Sequence, residues 1–168
     1  MTFTQKTRKF FILGLFSLAV TCLFAQEKDT TIYPLAAVEA KPLYEGKADS
    51  AIYRAIGRNL RMPMSVRYEV GTVGRVYINF VVDEQGTLEP NSVRLLMFEP
   101  APTAKNPKPK RVIDEKLLTA VQIDCVVESK RVIGLLTNWT PAKIGGKGVR
   151  CTMTLPISFK NEGTIIQR

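Results

Sequence analysis

The chain has 168 residues, with 24 Lys and Arg against 15 Asp and Glu, three cysteines and no histidine. That length holds one ordinary domain with appendages. The missing histidine removes the commonest general base, the usual partner of a catalytic nucleophile and the favoured zinc ligand, which excludes conventional triads and zinc hydrolases.

The opening "MTFTQKTRKFFILGLFSLAVTCLFAQ" places Lys6, Arg8 and Lys9 before an uncharged apolar run from Phe10 to Phe24, and Ala25 just ahead of Gln26. This is the layout of a secretory signal peptide over residues 1–25, and the run falls short of the roughly 20 apolar residues that a membrane span needs. A retained anchor and a lipid-modified Cys22 are the alternatives, and all three export the rest of the chain. Without Lys6, Arg8 and Lys9 the remainder carries 21 Lys and Arg against 15 Asp and Glu, six units positive. The excess suits an anionic partner or surface, but nucleic acid is not expected: an exported chain does not meet it. The dense basic run "KNPKPKR" is also broken by proline and lacks interleaved aromatics.

Residues 26–45 read as an extended lead-in with Pro34, Pro42 and no sustained period. In "DSAIYRAIGRNLRMP", Ile52, Ala55, Ile56 and Leu60 recur at helical spacing behind a capping Asp49 or Ser50, and Pro63 ends the helix. Val76, Ile78, Phe80 and Val82 then alternate with Arg75, Tyr77 and Asn79, the pattern of a strand. "DEQG" predicts a tight turn with Gly86 in the left-handed region, leading to a second, antiparallel strand near Ser92 to Phe98. A proline-rich loop of unusual length follows at 99–111. Leu117, Leu118 and Val121 predict a helix capped by Asp114, while Val126, Val127, Val132 and Ile133 fit either a continuation of it or a short strand. The order helix, strand, strand, helix, strand predicts an α+β domain over 46–160: a small three-stranded antiparallel sheet with two helices on one face, then a tail at 161–168. Ile78, Phe80, Leu117, Val121, Leu155 and Ile157 are its expected core, and Trp139 is expected to plug the gap between helix and sheet.

The closing segment "GVRCTMTLPISFK" alternates strictly. Val149, Cys151, Met153, Leu155, Ile157 and Phe159 share one face, and Arg150, Thr152, Thr154, Pro156, Ser158 and Lys160 the other. Proline donates nothing to a ladder, so Pro156 marks a sheet edge, and Arg150, Thr152, Thr154 and Ser158 present their backbones on the same side. These five are the candidate partner-binding residues, with a partner strand expected along Arg150 to Thr154 and ending at Pro156. Cys125 and Cys151 either form a disulfide, which an oxidising compartment permits, or serve as small buried apolar residues.

No motif points to a catalytic, metal or cofactor site. "IGGKGV" lacks the hydroxyl residue and the earlier glycine of a phosphate loop, and "VDEQG" lacks the alternating ligands of a calcium loop. Asp114 and Glu115, adjacent on a helix, diverge and suit a cap and first turn better than a carboxylate pair.

"RMPMSVRYEVGTVGRVYINFVVDEQGTL", "DEKLLTAV" and "NWTPAKIGGKGVRCTMTLPISFK" together resemble the C-terminal domain of the TonB family, in the form common in Bacteroidetes. The features carrying the likeness are Pro63, Gly74, Val76, Phe80, Val82, Asp83, Gly86, Asp114, Trp139, Pro141, Gly146, Lys147, Leu155, Pro156, Ile157 and Phe159, spread over residues 42–160. The resemblance implies a helix, hairpin, helix, strand fold. It also implies a periplasmic, non-enzymatic role without cofactor, in which a segment of an outer-membrane TonB-dependent receptor is added to the sheet edge as a strand. A membrane-anchored transducer contacting an inner-membrane motor complex is the alternative within the family. A self-associating structural module, a homodimer through the same edge, is the alternative outside it.

Overall fold

The computed structural model describes residues 30–67 and 71–161, so the signal-like run, Cys22 and the 162–168 tail lie outside the described residues. No helix among the described residues is long and apolar enough to cross a membrane. The strands are β1 (Ile32–Pro34), β2 (Leu43–Tyr44), β3 (Gly71–Val82), β4 (Arg94–Pro100), β5 (Trp139–Thr140), β6 (Ala142–Ile144) and β7 (Lys147–Asn161). The helices are α1 (Ser50–Asn59), α2 (Met64–Arg67) and α3 (Ala120–Gly134).

The α+β class holds, but the sheet is not the three-stranded antiparallel one expected. It is a mixed five-stranded sheet in the order β1-β7-β3-β4, with β6 also paired to β7. Its antiparallel centre is the expected one: β3 pairs with β4 as a hairpin and with β7 along Val76↔Ile157 and Ile78↔Leu155. The two additions come from segments whose sequence carries no strand period. β1 joins β7 in parallel, and Gly145 and Gly146, with φ of 56° and 76°, close a two-residue hairpin between β6 and β7. Consecutive left-handed residues give that hairpin the twist of its strands, which is why glycine occupies both positions.

One face of this sheet is the core. Val76, Ile78, Phe80 and Val82 of β3 and Cys151, Leu155, Ile157 and Phe159 of β7 are buried with Phe98 of β4. All of these but Cys151 form one cluster with Met153 of β7, Ile52 and Ile56 of α1, Val66 of α2, and Val126 and Ile133 of α3. Trp139 sits among them as expected, its ring edge-on to Tyr44 with centroids 5.5 Å apart and its Nε1 donating to Leu136 O at 2.7 Å. Buried indoles need such a partner.

The second helix begins later than predicted. Asp114 accepts from the Lys116 amide and starts only a 3-10 turn at Glu115–Leu117, leaving Leu117 74% exposed and Leu118 buried in its place. The α-helix is capped by Thr119, whose hydroxyl accepts from the Gln122 amide while the Gln122 side chain accepts from the Thr119 amide. This reciprocal box resets the phase, so Val121 is only half-buried and the stretch through Ile133 is all helix. Of the six expected core residues, Leu117 is therefore wrong and Val121 is peripheral.

The end of α1 is fastened to α3 by Glu128. Its carboxylate accepts from the Arg61 amide and from Arg131 Nε at 2.7 Å and Nη2 at 2.6 Å, while Nη2 also donates to Asn59 O. The Arg131 hydrogen bonds, helped by the Arg61 amide, outweigh burial and hold the Glu128 carboxyl below the ordinary glutamate value. A lowered folded pKa means that this stabilisation is complete at neutral pH and is lost as the pH falls below the unfolded value and through the folded one. Glu128→Gln is expected to lose about 1.5–3 kcal/mol at pH 7, the scale of a hydrogen bond to a charged group. Urea titrations should show the gap between wild type and variant closing in acid.

Candidate functional site

The polar face of the sheet is knitted by its own side chains. Arg75 Nε donates to Ser158 Oγ at 3.2 Å, Thr152 Oγ1 donates to Asn79 Oδ1 at 2.7 Å, and the Tyr77 hydroxyl donates to Glu99 at 2.9 Å. Arg150 makes a two-pronged pair with Glu89, Nε to Oε1 at 2.7 Å and Nη2 to Oε2 at 2.9 Å, and its Nη1 donates to Thr30 O at 2.6 Å. Of the five candidate residues, Arg150, Thr152 and Ser158 thus have side chains already engaged, Thr154 is exposed and Pro156 is half-buried. What the segment offers a partner is its backbone.

In the antiparallel register, Pro156 lies opposite Tyr77. Having no N–H, it belongs to the alternate set of residues whose peptide groups face away from β3, and Arg150, Thr152, Thr154 and Ser158 share that parity. The outward side is not open along its whole length. Ile32↔Arg150, Tyr33↔Cys151 and Pro34↔Thr152 are paired in parallel, so the chain's own lead-in occupies the stretch where a partner strand was expected to begin. β1 then ends in a 3-10 turn at Leu35–Ala37. From Thr154 to Ser158 no strand among the described residues pairs on this side. There the edge presents both peptide groups of Thr154 and Ser158 and, at Pro156, a carbonyl alone.

A cleft of about 510 Å³ adjoins this stretch, walled by Pro156, Ile157 and Ser158 on β7, by Arg75, by Tyr53 and Gly57 on α1, and by Leu60 just after it. The helix wall was not legible as part of a site. One signal was present: Gly57 lies inside α1, is exposed, and a Cβ there would meet nothing within 4 Å. Packing does not require this glycine, although it costs the helix about 1 kcal/mol relative to alanine. Its consequence is a low wall facing the strand edge.

The opposite sheet edge is partly covered. Phe98 of β4 exchanges both backbone hydrogen bonds with Val112, at 2.7 and 2.8 Å, as the long loop returns. Asp83 and Glu84 fall in the hairpin turn, where Asp83 Oδ1 accepts from the Gln85 and Thr87 amides. Cys125 and Cys151 are free, buried thiols and not the disulfide considered from sequence. Burial, with the Asp124 charge, pushes Cys125 up to about 12, and burial raises Cys151 as well, so neither is a ready nucleophile. No protein-family model matches the chain, and neither does a characterised protein or a solved structure.

Proposed function

We propose that this chain is an exported, TonB-like binding module that captures an extended segment of an outer-membrane transport receptor by adding it as a strand to the outer edge of β7. The observation that carries this reading is the stretch Thr154 to Ser158, which no strand among the described residues pairs on its outer side, beside the cleft of α1. Main-chain groups at regular spacing supply affinity in strand addition, and the flanking cleft supplies room for side chains on the core-facing side of the added strand. The helix, hairpin, helix, strand order around the antiparallel β3, β4 and β7 accords with the family likeness. Pro156 shifts from the end of the partner's ladder to its middle, where it withholds one donor and accepts one bond.

Gly57→Leu tests this without touching the strand. Leucine is a better helix former by roughly 0.8 kcal/mol, so the variant should be slightly more stable in a thermal melt. Its side chain would stand over the edge and weaken binding of a synthetic peptide from a receptor's periplasmic N-terminal segment by tenfold or more, read by fluorescence anisotropy. Unchanged affinity in the stabilised variant would remove the cleft from the site.

A further inference from the structure

Resting on that reading of the β7 edge, we infer that residues 30–34 are a resident strand that an incoming partner displaces, and that the partner's strand runs parallel to β7. The pairing is slight. Among the described residues the ladder spans three pairs, Ile32 is 46% exposed, Pro34 is exposed, Tyr33 is half-buried, and the 3-10 turn behind them holds no buried residue. Elements with so few buried contacts open well below the global unfolding free energy.

The surface beneath β1 is by contrast fixed. Glu89 holds two nitrogens of the Arg150 guanidinium, Nε and Nη2, and is itself tied to the sheet by its backbone N–H, which donates to Val81 O at 3.0 Å. When the lead-in leaves, Arg150 Nη1 still faces the edge with its donor free for another main-chain carbonyl in the place of Thr30 O. Tyr33 sits between Arg150 and Thr152, whose outward carbonyl and amide it can bridge in a parallel ladder. Pro34 falls where no donor is needed, so the surface accepts proline at that position. The segment that fits is therefore extended and parallel, with a carbonyl three residues before the bridging position and tolerance of proline one residue after it. Release would make the edge continuous from Arg150 to Ser158.

The lead-in remains tethered after release. Glu39 and Ala40 amides donate to Lys143 O at 2.9 and 3.2 Å, and Lys143 returns a bond to Ala40 O at 2.9 Å. This short tether keeps the resident strand at high effective concentration, so it sets a threshold that weak partners do not pass.

The test uses the full chain and a fluorescein-labelled peptide of residues 27–37. Tyr33→Pro removes the bridging N–H, and the variant should bind the peptide at least tenfold more tightly than wild type does. Adding Arg150→Ala should abolish that gain. Equal affinity of wild type and Tyr33→Pro, or no binding by a Tyr33→Pro chain that melts as a folded protein, overturns the inference. Amide exchange in the unmodified chain gives a second readout: the outward Thr152 amide should exchange at least tenfold faster than those of Met153 and Leu155, which face β3. Equal protection would likewise overturn it. Receptor-segment binding at Thr154 to Ser158 is measured separately with the Gly57 variant, so either idea can fail while the other stands.

Discussion

Phe80→Ala is expected to lower the unfolding free energy by about 3–5 kcal/mol, the range for removing a buried aromatic ring. Phe80 is fully buried near the end of β3 and packs against Trp139 at a centroid separation of 5.5 Å. It lies opposite Met153 in the β3–β7 register, so the cavity would open behind the strand that carries the proposed edge. A single domain typically has about 5–15 kcal/mol in total, so this one change would consume a large part of its stability. Urea titration followed by Trp139 fluorescence measures it, because Trp139 is the sole tryptophan and loses a neighbouring ring. A loss under about 1 kcal/mol would mean that the core closes over the gap.

Gly86→Ala is expected to cost about 3 kcal/mol, from two separable causes. The residue has φ of 85°, where a Cβ costs roughly 1–2 kcal/mol. That Cβ would also lie 2.2 Å from Trp139 O, a backbone atom that cannot swing aside. Forcing β5 away from the turn disturbs a packed region and adds about 1–3 kcal/mol. Gly145→Ala separates the two, because its φ of 56° is also left-handed but a Cβ there meets nothing within 4 Å. The second variant should therefore lose only the conformational part, about 1–2 kcal/mol in the same urea titration. Equal losses at the two positions would show that the Trp139 contact yields without cost.

The sequence was most informative where a period is long. Alternation along Val76 to Val82 and Val149 to Phe159 placed β3 and β7 and their buried faces, and Gly86 with Asp83 marked the turn between β3 and β4. It was least informative where local signals compete. Asp114 is a good cap, but Thr119 with Gln122 is a reciprocal one, and the later start of α3 exposes Leu117. The lead-in could not be read as structure because a three-residue strand has no period to detect. Its pairing is with β7, and beside that ladder Arg150 donates to Thr30 O, a contact across 120 residues that no local pattern encodes. The candidate site was legible as an edge, since Pro156 fixes which backbone groups face outward. Its extent was not, because part of that edge is filled from a distant segment and its second wall comes from α1.

The central claim is that the edge of β7 from Thr154 to Ser158 receives a receptor strand, and site-specific photo-crosslinking in intact cells tests it most directly. A photo-reactive amino acid placed at Thr154 should yield an adduct with an outer-membrane transport receptor, joined through the receptor's N-terminal periplasmic segment. The same group placed at the exposed Leu96 on β4 should not. Equal receptor adducts from both positions, or none from Thr154, would contradict strand addition at β7.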